Sequence, residues 1–168
     1  MPVLADVLSP KLAVVFCGTA AGAASAAANA YYAKPGNKFW RTLHEIGLTP
    51  RQLDPHECWR VNRYGIGLTD LAKSVAGNDS VLKPGDFDVK ALQRKVAKFR
   101  PAVLAFTSKR AGNEYFGYSV EYGLQREQLA QSRIFVLNST SGQATAHWNN
   151  AQKWHELAIF LRKHGCAA

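Results

Sequence analysis

The sequence predicts a three-layer α/β/α fold around a central, mainly parallel four-stranded sheet. Three observations predict it. Apolar runs alternate with amphipathic segments along the chain, the pattern of a parallel sheet covered by helices on both faces. The apolar runs are continuous, as strands buried on both faces require. The 168 residues, 47% of them hydrophobic, suffice for one domain (1–168) with one core.

The elements follow in order. Leu12 to Cys17 is a continuous apolar run ending at Gly18, read as the first strand. Ala20 to Ala30 is alanine-dominated and reads as a short helix or a snug loop. Asn37 to Ile46 puts Phe39, Trp40, Leu43 and Ile46 on one helical face, and Gly47 closes it. Asp54 to Asn62 reads as a further short helix, and Ile66 to Thr69 as a short strand ending at Asp70. Val89, Leu92, Val96 and Phe99 recur at helical spacing, with Asp86 or Asp88 as cap. Ala102 to Phe106 is a third strand, Ser108 to Phe116 a helix, and Ile134 to Leu137 a fourth strand. The closing helix, Asn149 to Lys163, turns Trp154, Leu157, Ala158 and Leu161 inward.

Charge narrows the partner. A net charge of +9 favours a polyanion, because each neutralised phosphate releases counterions. Cys17, Cys58 and Cys166 form no CxxC pair, so neither a disulfide framework nor an iron–sulfur cluster is expected. No His/Cys/Asp/Glu set has metal-ligand spacing, and the expectation is no metal and no cofactor. No run reaches the ~18 apolar residues of a membrane span, and no signal peptide is visible. The expected setting is the reduced cytoplasm, as a monomer alongside nucleoid DNA.

In open α/β sheets, ligands bind beyond the carboxyl ends of the strands. That rule selects Gly18-Thr19-Ala20-Ala21-Gly22, Thr69-Asp70, and Asn138-Ser139-Thr140-Ser141-Gly142. The first loop is neither a P-loop nor a dinucleotide fingerprint, since Gly-Lys-Ser/Thr and GxGxxG are both absent.

Val15 to Gly22, then Tyr31-Tyr32-Ala33-Lys34-Pro35-Gly36-Asn37-Lys38-Phe39-Trp40, then Leu137 to Gly142, resemble three motifs of the mismatch-specific uracil/thymine DNA glycosylases. These belong to the uracil-DNA glycosylase superfamily. The Gly-Thr-Ala first motif, with Leu68-Thr69-Asp70, suggests a variant branch. The resemblance spans essentially the whole chain. It implies a monofunctional hydrolase of base excision repair that flips a uracil-like base out of DNA. Two departures stand out. Ala20 occupies the place of the asparagine that usually holds the attacking water, and Ser139 that of the second motif's asparagine, with Asn138 one residue earlier.

Cleaving an N-glycosidic bond passes through a cationic, oxocarbenium-like sugar, which a carboxylate stabilises. Asp70 is the candidate, being the only acid in the three selected loops; its alternative is to N-cap a helix starting at Leu71. Backbone N–H groups of Thr19 and Ala20, beside Gly18, suit the O2 of a leaving uracil anion. By the resemblance Tyr32 stacks on the flipped base; its alternative is a core aromatic beside Tyr31. Asn37 either reaches the base or caps the helix of Phe39 and Trp40. Ser139, Ser141 and Gly142, with Asn138, should line the pocket or hold a phosphate. Gln143, Ala144 and Thr145 match the wedge that fills the gap left by the base. Lys34, Lys38, Arg41, Lys109 and Arg110 flank these loops as candidate phosphate contacts; for each one singly the alternative, a solvated surface charge, is favoured. No lysine stands in the selected loops to form a Schiff base, so no lyase step is expected. The rivals are a lesion-binding protein that has lost catalysis, for which Ala20 argues, and a binder of free nucleosides, against which the charge argues.

Overall fold

Strand β1 (Val14–Ala21) lies between β2 (Ile66–Ala76) and β3 (Val103–Phe106), parallel to both. The computed structural model describes residues 1–142 and 151–164. Its sheet has the order β2-β1-β3-β5-β4, with β4 at Gly123–Leu129 and β5 at Ser132–Val136. β5 runs parallel to β3, and β4 pairs antiparallel with β5. The expected four parallel strands are therefore present, and β4 is a fifth that the sequence reading missed. Its sequence, Gly-Leu-Gln-Arg-Glu-Gln-Leu, has no apolar run, because an edge strand is largely solvated.

Two clusters cover the two faces. Phe16, Leu68, Ala105 and Phe135 pack against α2 (Phe39–Glu45) and α5 (Gln152–His164), where Phe39, Leu43, Trp154 and Leu157 are buried. Val15, Cys17, Leu104 and Ile134 pack against α3 (Val89–Phe99) and α4 (Lys109–Phe116), through Leu92, Val96 and Ala111. Successive strand residues alternate between the two clusters, which is the period-two rule of the pleat. All four apolar residues expected inward on the closing helix are buried.

Local chemistry sets the boundaries. The Asp88 side chain accepts from the Ala91 N–H and starts α3; Ser108 does the same for Ala111 and α4. Asp54 and Glu57 form a reciprocal capping box on the 3₁₀ helix Pro55–Tyr64. The alanine-rich stretch resolves into a six-residue helix, α1 (Ala23–Ala28), closed by Asn29 in the left-handed conformation.

The connections position the site. The chain leaves β1 for β2 on one side and leaves β3 for β4 and β5 on the other. The carboxyl ends of β1 and β3 thus border the switch point where a crevice opens.

Candidate active site

Gly18 pairs in register with Asp70 on β2, and the Thr107 N–H, just past β3, bonds to the Cys17 carbonyl at 3.0 Å. By the pleat alternation Asp70, Gly18 and Thr107 share the face covered by α2 and α5. They form one row across three strands, with the glycine in the middle. A β-carbon at Gly18 would lie 2.7 Å from Asp70 Oδ1 and 3.4 Å from both the Thr107 Oγ1 and the Tyr32 hydroxyl. The missing side chain is what lets these three oxygens converge.

Asp70 is 6% exposed and lines a cavity of about 460 Å³. That volume is in the range of small-molecule sites, roughly 300–1,000 Å³. Among the described residues no side chain hydrogen-bonds its carboxylate. Burial pushes its pKa up to about 7; Lys73 opposes, Asp6 adds repulsion, and Lys95 and the Gly18 backbone pull it down. The alternative that Asp70 caps a helix is overturned, because Leu71 continues β2 and no helix begins there. The strand also runs to Ala76 rather than stopping at Thr69, so Asp70 sits inside a strand and not in a loop.

Tyr31 and Tyr32 both border the cavity and both pack with the core cluster. Tyr31 is buried in the core, and its carbonyl accepts from the Trp40 indole at 3.0 Å. Tyr32 lines the cavity, stacked on Phe39 with ring centroids 3.9 Å apart, its hydroxyl 3.0 Å from Thr107 Oγ1. Its φ of 54° lies in the left-handed region, which a non-glycine residue adopts at a cost of about 1–2 kcal/mol. Such strain persists only where surrounding contacts impose it, and it gathers at functional sites.

The first loop is an extension of β1, with Ala20 paired to Ala72. Since Cys17 faces β3 with its carbonyl, alternation turns the Thr19 N–H toward the crevice and the Ala20 N–H toward β2. Of the two expected donors, Thr19 is the one available to a ligand. The Asn37 Oδ1 accepts from the Phe39 N–H at 2.9 Å from one residue before the N-cap of α2, which is Lys38, and Asn37 also borders the cavity. Ser139 and Ser141 line the cavity, and Ser139 Oγ accepts from the Ser141 N–H at 3.2 Å. Asn138 is completely buried beneath them, its carbonyl bonded to the Trp154 indole, so it is no surface contact. Thr140 is buried too and ties the loop to the start of α2 through the Lys38 N–H. Gly142 is exposed beside the Gly36 carbonyl. The expected wedge, Gln143 to Thr145, lies outside the described residues.

Lys34 is exposed and lines the mouth of the cavity. Lys109 sits over the Tyr122 ring, 5.0 Å from its centroid, and Arg41 pairs with Glu45. Arg110 pairs with Glu114 and donates to the Asp79 carbonyl.

Two features escaped the sequence reading. Thr107 and Ser108 line the cavity from the end of β3, and the strand-end rule would have found them had it been applied to that strand. Gly77 to Ser80 line it as well, and Asp79 accepts from the Thr19 hydroxyl at 2.7 Å. Asp70 is therefore not the only acid at the cavity. The turn residues Gly77-Asn78-Asp79 carried the signal, which the early end assigned to β2 concealed.

Residues 5–161 match the family model of the uracil DNA glycosylase superfamily. The fold is similar to the solution structure of a candidate uracil DNA glycosylase from Methanosarcina acetivorans, with a TM-score of 0.64 over 95% of this chain and 96% of that one. The two are 23% identical, a likeness of fold.

Proposed function

The chain belongs to the uracil DNA glycosylase superfamily, and from that premise we propose that it is a monofunctional DNA glycosylase that removes uracil from DNA through Asp70. A variant branch of the mismatch-specific enzymes, acting on G·U pairs, is the reading its motifs support. The observation that carries it is a buried carboxylate on the cavity wall with no cation bonded to it. A carboxyl group titrating near 7 is matched to general-base work at neutral pH.

The flipped base enters the cavity and stacks beside Tyr32. As the C1′–N bond breaks, its electron pair leaves with the base, and the Thr19 N–H stabilises the resulting anion at O2. The Asp70 carboxylate faces the cationic sugar and takes a proton from the attacking water. The strand-end loops carry no lysine, and Lys34 is exposed at the mouth, so the expected product is an abasic site with the strand intact. The net charge of +9 and Lys34 favour a duplex partner. We expect a monomer acting on DNA in the cytoplasm.

Single-turnover excision from a G·U duplex tests this. Asp70→Asn should lower the rate by about 100-fold or more while duplex binding persists. Borohydride should trap no covalent adduct. A wild type that binds the duplex and releases neither uracil nor any other damaged base would instead establish a lesion binder.

A further inference from the structure

The residue that usually holds the attacking water is replaced by Ala20, whose methyl group can hold none. Asp70 alone fixes a water by one contact and leaves it free to rotate about that contact. A second polar group is needed on the far side of the water. The row Asp70–Gly18–Thr107 supplies one.

We propose that Thr107, supported by the Tyr32 hydroxyl, is the second anchor of the nucleophilic water, which bridges it to Asp70 across Gly18. This rests on the glycosylase reading above. Asp70 Oδ1 and Thr107 Oγ1 lie 2.7 and 3.4 Å from where a β-carbon of Gly18 would stand, which bounds their separation at about 6 Å. One water spans that gap with two hydrogen bonds of about 2.8 Å. Thr107 is 5% exposed, so its hydroxyl is held in place and bulk solvent does not displace it.

The direction of the protons fits. Thr107 Oγ1 reaches the Cys17 carbonyl at 3.5 Å, and a carbonyl only accepts. Thr107 therefore donates to Cys17 and accepts from Tyr32, the pair being 3.0 Å apart. Each hydroxyl oxygen then retains a lone pair able to accept a further hydrogen bond. A water donating one hydrogen to Asp70 and the other to Thr107 keeps its own lone pair for C1′. In the step itself, the water oxygen bonds to C1′ and the C1′–N pair leaves with the base. One water proton passes to the Asp70 carboxylate, and the other stays on the new C1′ hydroxyl. The strained φ of Tyr32 places its hydroxyl where it fixes the Thr107 rotor.

The test uses Thr107→Val, which keeps the shape and removes the hydroxyl, and Thr107→Ser, which restores it. Single-turnover excision of uracil is measured beside the Kd for a duplex carrying 2′-fluoro-2′-deoxyuridine, which resists cleavage. Thr107→Val should lower the rate about 10- to 100-fold with Kd unchanged, and Thr107→Ser should recover most of it. A merely structural threonine would shift the melting temperature and leave the rate of the folded enzyme alone. Tyr32→Phe should give a smaller loss of the same kind. The proposal is overturned if Thr107→Val cleaves within about twofold of wild type, or if Ser fails as badly as Val. If Asp70→Asn abolishes cleavage while Thr107→Val does not, only this proposal falls. If the wild type cleaves nothing, the glycosylase reading falls with it.

Discussion

Asp6 and Asp70 are two carboxylates beside the same strand with opposite surroundings. Asp6 accepts from Thr69 at 2.6 Å and pairs with Lys73 at 2.9 Å and Lys95 at 2.7 Å. Burial would raise its pKa, but Lys73 and these hydrogen bonds outweigh that and lower it. Asp70, the next residue after Thr69, points to the other face, is buried further, and has no such partner. Its pKa rises to about 7. A carboxylate with its partners in place holds structure together. One buried in a cavity wall, with the Gly18 backbone beside it and no cation bonded to it, is held ready for a proton, and the fold bears the cost of keeping it there.

The largest effect expected from breaking this contrast is on chemistry. Asp70→Asn removes the proton acceptor, and the loss of about 100-fold corresponds to roughly 3 kcal/mol of transition-state stabilisation. In the wild type the single-turnover rate should rise with pH through about 7 and then level, because the ionised form is the active one. A rate flat from pH 5 to 9 would remove Asp70 from the proton transfer.

The same substitution should act on stability with the opposite sign. The folded pKa of Asp70 lies above its unfolded value near 3.8, so the native state binds more protons between about pH 4 and 7. Stability is therefore lost as pH rises through that window. Asp70→Asn should be more stable than wild type at pH 8, by about 2–4 kcal/mol, with the gain vanishing toward pH 4. Urea melts at the two pH values measure it, and equal stabilities at pH 8 would mean the carboxylate is better solvated than its burial indicates.

Asp6→Asn should do the reverse. It leaves Lys73 and Lys95 facing each other half-buried, and the expected loss is about 1–3 kcal/mol at pH 7. Because the folded pKa of Asp6 is depressed, this contribution is present above its unfolded pKa and fades as pH falls through the folded one. With the repelling Asp6 charge gone and both lysines retained, the midpoint of the rate profile should also move to lower pH. A midpoint that stays put would show the two carboxylates to be electrostatically separate.

Little of this contrast was legible in the sequence. Buried strands and the inward face of α5 announce themselves by hydrophobic period, and so does α3 with its Asp88 cap. Asp70 was legible as an acid after an apolar run, and Gly18 as part of a motif. Their relation was not, because Gly18 and Asp70 are fifty-two positions apart and meet only through strand register. Thr107 was legible only as a residue following a strand, and its place beside Gly18 was hidden for the same reason. Its neighbours along the chain say nothing of the glycine beside it in the next strand. The length of β2 was misjudged because polar Asp70, Lys73 and Ser74 break its apolar run; Asp70 faces the cavity, and Lys73 is engaged by Asp6.

Cations divide as the carboxylates do, and the smallest expected effect lies there. Lys73 and Lys95 are engaged by Asp6, whereas Lys34 stands exposed at the cavity mouth with no ion pair among the described residues. A phosphate of bound DNA is the partner its position suits. Each such contact releases counterions, so Lys34→Gln should lower the slope of log Kd against log salt by about 0.9 and weaken binding at low salt. The loss should be the same for duplexes with and without uracil, because a phosphate contact carries no base information. If the slope is unchanged, Lys34 faces solvent in the complex. If binding weakens only for the uracil duplex, Lys34 touches the flipped nucleotide itself, and the contrast between cations that hold the fold and cations that meet the substrate extends into the pocket.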